Sequence, residues 1–196
     1  MSYTSHFTKF LAIDCETSSM SKGDDPSTGC QMVSIGLIVS DVKTFKEIET
    51  LYIEIKWNGE SEWSEYAEKI HGLTKDYLDE NGVDEEEAAA QIVELIMRHF
   101  DTTRGITLCG HNVVSFDKPF LKSLLRKFGI DLKFSHRAID SFPIGLLAVQ
   151  AFDSDELFRN MGLPPRKAHN ALEDIRYTLR SIRGLNKIFE RVLTDE

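Results

Sequence analysis

The sequence predicts an α/β chain built on one mixed five-stranded sheet with helices on both faces. Two patterns carry that prediction. Apolar rows of strand type crowd the chain as far as Trp57, and from there helical apolar stripes alternate with further short strands. With 196 residues, 41% of them hydrophobic and 28% charged, there is material for one sizeable core but little for two. Residues 1–196 are therefore expected to form a single domain, without repeats, low-complexity tracts or linkers.

The first strand is the run Phe10-Leu11-Ala12-Ile13, followed by Asp14, Cys15 and Glu16. Side chains alternate along a strand with a period of two, so Asp14 and Glu16 emerge on one face and Cys15 on the other. Ser18 to Gly29, rich in Ser, Gly, Asp and Pro, is an extended loop. Val33, Ile35, Leu37 and Val39 form a second apolar row with Ser34 and Gly36 between, and Leu51, Ile53, Ile55 and Trp57 alternate with Tyr52, Glu54 and Lys56 as a half-buried third strand. Asp84 and Glu87 have the spacing of a capping box, opening a helix striped by Ala88, Ile92, Val93 and Ile96. Gly105 to Cys109 is a fourth strand that runs into His111-Asn112. Ser115 is the expected N-cap of the next helix, which tolerates Pro119 among its unpartnered first amides, carries the stripe Phe120, Leu121, Leu124, Leu125, Phe128 and stops at Gly129. Ser135 to Ile139 is the fifth strand, with Asp140 as the N-cap that follows it. Leu172, Ile175, Leu179, Ile182, Leu185 and Phe189 stripe the last helix.

Four carboxylates and a histidine occur in fixed order along these elements: Asp14, Glu16, Asp117, His169 and Asp174. That set is the inventory of a two-metal phosphodiester hydrolase, because Mg2+ and Mn2+ prefer carboxylate oxygens. Two such ions about 3.5–4 Å apart stabilise both the attacking and the departing oxygen of an in-line displacement. Spacing also constrains the last pair. Five residues along a helix turn by roughly 140°, so His169 and Asp174 cannot face one site from inside the same helix. His169 must precede the helix, with Asn170 as N-cap, Glu173 as its capping partner and Asp174 in the second turn.

Asp14-Cys15-Glu16-Thr17, His111-Asn112 through Phe116-Asp117, and His169-x4-Asp174 resemble, in order, the three motifs of the DEDDh family of 3'-to-5' exonucleases, which includes polymerase proofreading subunits, ribonuclease T and oligoribonuclease. Gln31 to Val39 resembles that family's second strand, and Ala67 to Tyr77 its His-Gly-Ile/Leu-Thr segment, so Phe7 to Leu185 is covered in register. The resemblance implies the ribonuclease H-like architecture and hydrolysis of single-stranded DNA or RNA from 3' ends to nucleoside 5'-monophosphates, with two Mg2+ as cofactors and Mn2+ able to substitute. It implies that Asp14 bridges the ions, that Glu16 and Asp174 hold the ion that binds the attacking water, that Asp117 serves the other, and that His169 takes the proton. Thr17, His71 and Asn112 match positions near the terminal nucleotide. Thr17 is more like the proofreading and ribonuclease T branch than the oligoribonuclease branch, which usually has Met there, and this favours DNA over RNA. Ser18-Ser19 departs from the glycine that many relatives carry at this point.

The remaining residues set the boundaries. A formal charge of -9 argues against a large basic groove, although two divalent cations would add four positive charges locally. The acidic run Asp84-Glu85-Glu86-Glu87 is explained as a solvated helix start favoured by the helix dipole. Arg166-Lys167 is explained equally by a solvated basic pair or a phosphate contact. His111 is expected to turn the chain, and His6, His99 and His136 have no partner spacing. Cys15, Cys30 and Cys109 are an odd set without Cys-x-x-Cys spacing, expected to be reduced. With no membrane span and no signal peptide in Met1 to Lys9, the expectation is a soluble, intracellular, cytoplasmic protein; no polymerase partner is evident. Two competing classes are a non-catalytic nucleic-acid-binding module, which would usually have lost one of the acids, and an integrase or ribonuclease H-type endonuclease, which fits the His169-x4-Asp174 spacing less well.

Overall fold

The computed structural model describes residues 7–166 and 169–194. The elements run β1 (Lys9–Thr17), β2 (Met32–Asp41), β3 (Glu47–Glu54), α1 (Glu65–His71), α2 (Lys75–Asn81), α3 (Glu85–His99), β4 (Ile106–Gly110), α4 (Asp117–Lys127), β5 (Phe134–Asp140), α5 (Ser141–Val149), α6 (Ser154–Asn160) and α7 (Ala171–Thr194). The sheet order is β3-β2-β1-β4-β5. Its first three strands form an antiparallel meander, and β4 and β5 join parallel to β1. This is the expected mixed sheet, and β1 lies at its centre.

Alternation along β1 fixes both layers. Leu11, Ile13 and Cys15 pack with Ile92, Leu95 and Ile96 of α3 and with Phe120, Leu121 and Leu124 of α4. Phe10 and Ala12 pack with Ile175, Leu179 and Ile182 of α7. A strand covered on both faces must be apolar at every position, as Phe10 to Ile13 is. By the same alternation Asp14 and Glu16 share the face of Phe10 and Ala12, which is the face on which α7 begins.

One glycine governs how closely α7 approaches. Gly36 on β2 is the register partner of Asp14. A Cβ there would stand 2.5 Å from both the Ala171 carbonyl carbon and the Leu172 nitrogen. The first turn of α7 therefore rests on bare backbone next to Asp14.

Three local expectations are corrected. β3 ends at Glu54, and Ile55 bridges Val83 instead. Trp57 lies outside the strand, ahead of a turn in which the Asn58 carboxamide oxygen accepts from the Glu60 and Ser61 amides. Ser115 does not cap α4. Its own amide and that of Phe116 donate to the Asn112 carbonyl, so the turn closes on backbone and the N-cap passes to Phe116, which has no side-chain cap. Asp84 does occupy the N-cap of α3 but makes no cap hydrogen bond, and its carboxylate lies 3.8 Å from Lys56 Nζ. Two other expectations hold. Asp140 caps α5 through the Phe142 amide, and the three cysteines are free and buried. Among the described residues no helix is long and apolar enough to cross a membrane.

Candidate active site

Three chain segments deliver the five expected residues to the C-terminal end of β1. Asp14 and Glu16 come from the strand and are partly exposed, whereas Asp117 and Asp174 are 2% and 6% exposed. Asp117 is the first residue of α4, and its Oδ1 accepts the Cys15 amide at 2.9 Å. This bond stitches the helix to β1 between the two strand acids. At α7 the Asn170 Oδ1 accepts from the Glu173 amide (3.1 Å) and its carbonyl from the Asp174 amide (2.8 Å). Asn170 is thus the cap, and His169 precedes the helix. Two details differ from expectation: Asp174 falls in the first turn, and Glu173 turns away from the cap to pair with Arg176 at 3.0 Å.

Glu16, His169 and Asp174 offer ligand atoms that all lie within 4.8 Å of one another. Asp14 and Asp117 are tied to this trio electrostatically. The Asp14 carboxyl is held well above the usual range by burial, then by the charges of Asp117, Glu16 and Asp174, with Arg166 opposing. Burial and Asp174 push Glu16 up to about 7 against His169 and Arg166. Burial pushes Asp117 up to about 7, opposed by its bonds to Cys15. Carboxylates crowded this closely repel one another until a cation or protons intervene. Asp174 Oδ1 is moreover buried without a hydrogen bond. Four carboxylates beside one imidazole, the acids mutually repelling and one buried oxygen unsatisfied, fit a hard divalent cation.

Arg166 is the residue the sequence misplaced. Its side chain is 11% exposed, so it is not solvated; it lies 2.6 Å from Asp155, 3.0 Å from Asp174 and 3.2 Å from His169 Nδ1, over the Phe158 ring at 4.8 Å. The contact with Asp174 is close but off-angle, which leaves Nη1 and Oδ1 both unsatisfied. Its partner in the basic pair, Lys167, is outside the described residues, as is His6. His169 Nδ1 stands 3.6 Å from Asp174 Oδ2, and this contact, against burial and Arg166, raises the imidazole pKa.

The three expected nucleotide contacts are placed unequally. Thr17 ends β1 and is buried. His71, also buried, accepts the Leu73 amide at Nδ1 (3.0 Å), while its Nε2 has no hydrogen-bond partner among the described residues. Burial lowers its pKa, and both the Thr17 backbone and His169 act on it. Asn112 is an exposed residue at φ 58 whose amide donates to Asp140 Oδ1 at 2.8 Å. Among the described residues no hydrogen bond joins its side chain to the carboxylates. His111 bonds Ser141 Oγ (2.9 Å) and meets Phe142 edge-on, a structural role. His99 bonds Glu49 and Lys9, the latter at the end of β1 opposite Glu16.

A family model described as Exonuclease matches residues 11–181. The chain is 26% identical to a DNA polymerase III of PolC type from Thermotoga petrophila, over 96% of this chain and 13% of that protein. Its structure is similar to E. coli exonuclease I in a zinc-bound complex with single-stranded DNA (TM-score 0.76, 21% identity, 96% of this chain and 42% of that one). It is likewise similar to the nuclease domain of 3'hExo, a DEDDh family member bound to rAMP (TM-score 0.69, 12% identity, 95% of this chain and 94% of that one). The chain thus spans a small part of the polymerase and under half of exonuclease I.

Proposed function

The chain belongs to the exonuclease family, and from that premise we propose that residues 1–196 act as one 3'-to-5' exonuclease domain, releasing nucleoside 5'-monophosphates from single-stranded nucleic acid, DNA in preference to RNA, with two divalent cations, Mg2+ or Mn2+. The observation that carries this reading is the convergence of Asp14, Glu16, Asp117, His169 and Asp174 from three segments at one end of the central strand. A non-catalytic module would have no use for four carboxylates held at such electrostatic cost. The exonuclease I relative was solved with single-stranded DNA and the 3'hExo domain with rAMP, so both sugars belong in the test.

In this reading Asp14 would be shared by the cations, Glu16 and Asp174 would hold the one on the side of the attacking water, and Asp117 would hold the other. When bound, the cations stabilise the attacking and departing oxygens. His169 takes the water's proton. Its Nδ1 faces Arg166 and Asp174, which leaves Nε2 for that proton. Water oxygen bonds to phosphorus, the bond to the 3' oxygen breaks, and the strand is left with a 3' hydroxyl. Thr17, His71 and Asn112 surround the terminal nucleotide, His71 presenting its unpartnered Nε2. Matched single-stranded DNA, duplex DNA and RNA oligonucleotides, labelled at the 5' end and digested with Mg2+ and with Mn2+, test the proposal. Stepwise loss of 3' nucleotides, fastest on single-stranded DNA, is expected; internal fragments, or no cleavage, refute it.

A further inference from the structure

Two half-buried tryptophans lie on the segment that leads into α1 without belonging to any of the three apolar clusters of the fold. Trp57 and Trp63 meet at 65° with ring centroids 5.8 Å apart. Each indole N–H is satisfied inside the segment, Trp57 by the Ser61 carbonyl (3.0 Å) and Trp63 by Glu68 Oε2 (2.8 Å), so the rings are anchored by their edges. The Lys75 ammonium lies 3.7 Å from the centre of the Trp57 ring and 5.2 Å from that of Trp63. Among the described residues no carboxylate pairs with Lys75, although the chain carries nine excess negative charges. Aromatic faces thus hold a cation whose outer donors are free of any acid.

The segment is fastened to the site. Ser64 N–H donates to the Ser18 carbonyl (2.7 Å), Glu62 N–H to the Gly29 carbonyl (2.8 Å), and Ser19 Oγ to the Glu62 carboxylate (3.0 Å). It is therefore bonded directly to the residues that follow Glu16 and Thr17. Trp63 also meets the His71 ring edge-on at 6.3 Å. We propose that Trp57, Trp63 and Lys75 form a subsite for one nucleotide of a single strand, upstream of the 3'-terminal one, with an indole face taking the base and the Lys75 ammonium the phosphate. This rests on the nuclease reading above. Stacking on an aromatic face is tolerant of sequence and needs an unpaired base, so the subsite selects single strands without reading them. It also gives an acidic protein a grip on nucleic acid that does not depend on a long basic track.

The test reads binding apart from hydrolysis, by anisotropy of a 5'-fluorescein oligothymidylate with Ca2+ in place of Mg2+. Trp63→Ala is expected to weaken binding roughly 5- to 100-fold, the scale of one base stacked on an aromatic ring, with an unchanged salt slope. Trp63→Phe should retain most of the affinity, which guards against misfolding as the cause. Lys75→Gln should lower the magnitude of the slope of log K against log salt by about 0.7, one phosphate contact on a single strand. Parent-like affinity in Trp63→Ala together with a parent-like salt slope in Lys75→Gln overturns the subsite while leaving hydrolysis untouched. A parent that binds through these residues but releases no mononucleotides with Mg2+ refutes the nuclease reading and leaves the subsite standing. A parent with no measurable binding refutes both.

Discussion

Gly36→Ala tests whether the approach of α7 to the sheet sets the site. The added methyl would stand 2.5 Å from the Ala171 carbonyl carbon and the Leu172 nitrogen and 2.6 Å from the Ala171 oxygen. Ordinary contact needs about 1 Å more, and all three atoms are backbone, so no side chain can rotate out of the way. The helix must back away, carrying Asp174 with it, or β2 must sink away from Asp14. Overpacking of this kind costs about 1–3 kcal/mol, which in a chain of this size lowers the melting temperature by roughly 2–12 °C. A displacement near 1 Å at a catalytic ligand can cost on the order of 10²-fold in rate. The assays are a thermal melt and single-stranded DNA hydrolysis under saturating Mg2+. Gly184→Ala is the control, since its methyl would meet only the flexible end of Met161. Gly36→Ala with the melting temperature and rate of Gly184→Ala would refute the reasoning.

Asp14→Asn should abolish turnover yet raise the melting temperature without metal, because it removes a carboxyl whose ionisation burial and its acidic neighbours oppose; it should also lose most of the Mg2+-induced stabilisation expected of the parent. Turnover within tenfold of the parent would remove the two-metal assignment. His169→Ala should lose a factor of roughly 10²–10⁴ in rate and the rise of activity with pH through the histidine range, while retaining metal-induced stabilisation; an unchanged pH profile would sink its role as base. Arg166→Gln strips Asp174 of its contacting cation, so the metal-free melting temperature should fall, on the scale of the ~3–5 kcal/mol seen when one partner of a buried pair is removed, and the shift on adding Mg2+ should grow. Equal melting curves for parent and variant would show that Arg166 compensates nothing. Finally, folded-state pKa values raised above the unfolded ones mean that the folded protein binds more protons. For Glu16 and Asp117, raised from the ordinary carboxylate range to about 7, the contribution of these two groups to metal-free stability is full below about pH 4 and is lost as pH rises through 7. Melting in EDTA should therefore be higher at pH 5 than at pH 8, with the gap closing under Mg2+; the opposite order would contradict the raised values.

What the sequence disclosed depended on local periodicity. Asp14 and Glu16 could be set on one face because a strand repeats every two residues, and His169 could be put outside α7 because a helix does not bring positions five apart together. The Asn170 cap followed from the same geometry. Ser115 failed because a stronger turn former precedes it: the turn after β4 is closed by the carbonyl of Asn112 at positive φ, a conformation asparagine tolerates better than most residues. Trp57 continued the alternation of β3 and still left the strand, because Ile55 found a bridge at Val83. Arg166 was illegible for a different reason. Its burial depends on Asp155 and Phe158 of α6, and a basic pair read along the chain gives no sign of a neighbouring helix that will cover one of its members.

The hydrogen bond from Cys15 to Asp117 joins residues 102 positions apart, and Asp174 lies well beyond Asp117 in sequence. A polypeptide emerging from the ribosome therefore carries its first two acids long before the last one exists, and contacts of such long range form late in folding. In the nuclease reading, a chain still lacking α7 holds Asp14, Glu16 and Asp117 without the His169 and Asp174 that complete the set, and is expected to leave nucleic acid intact.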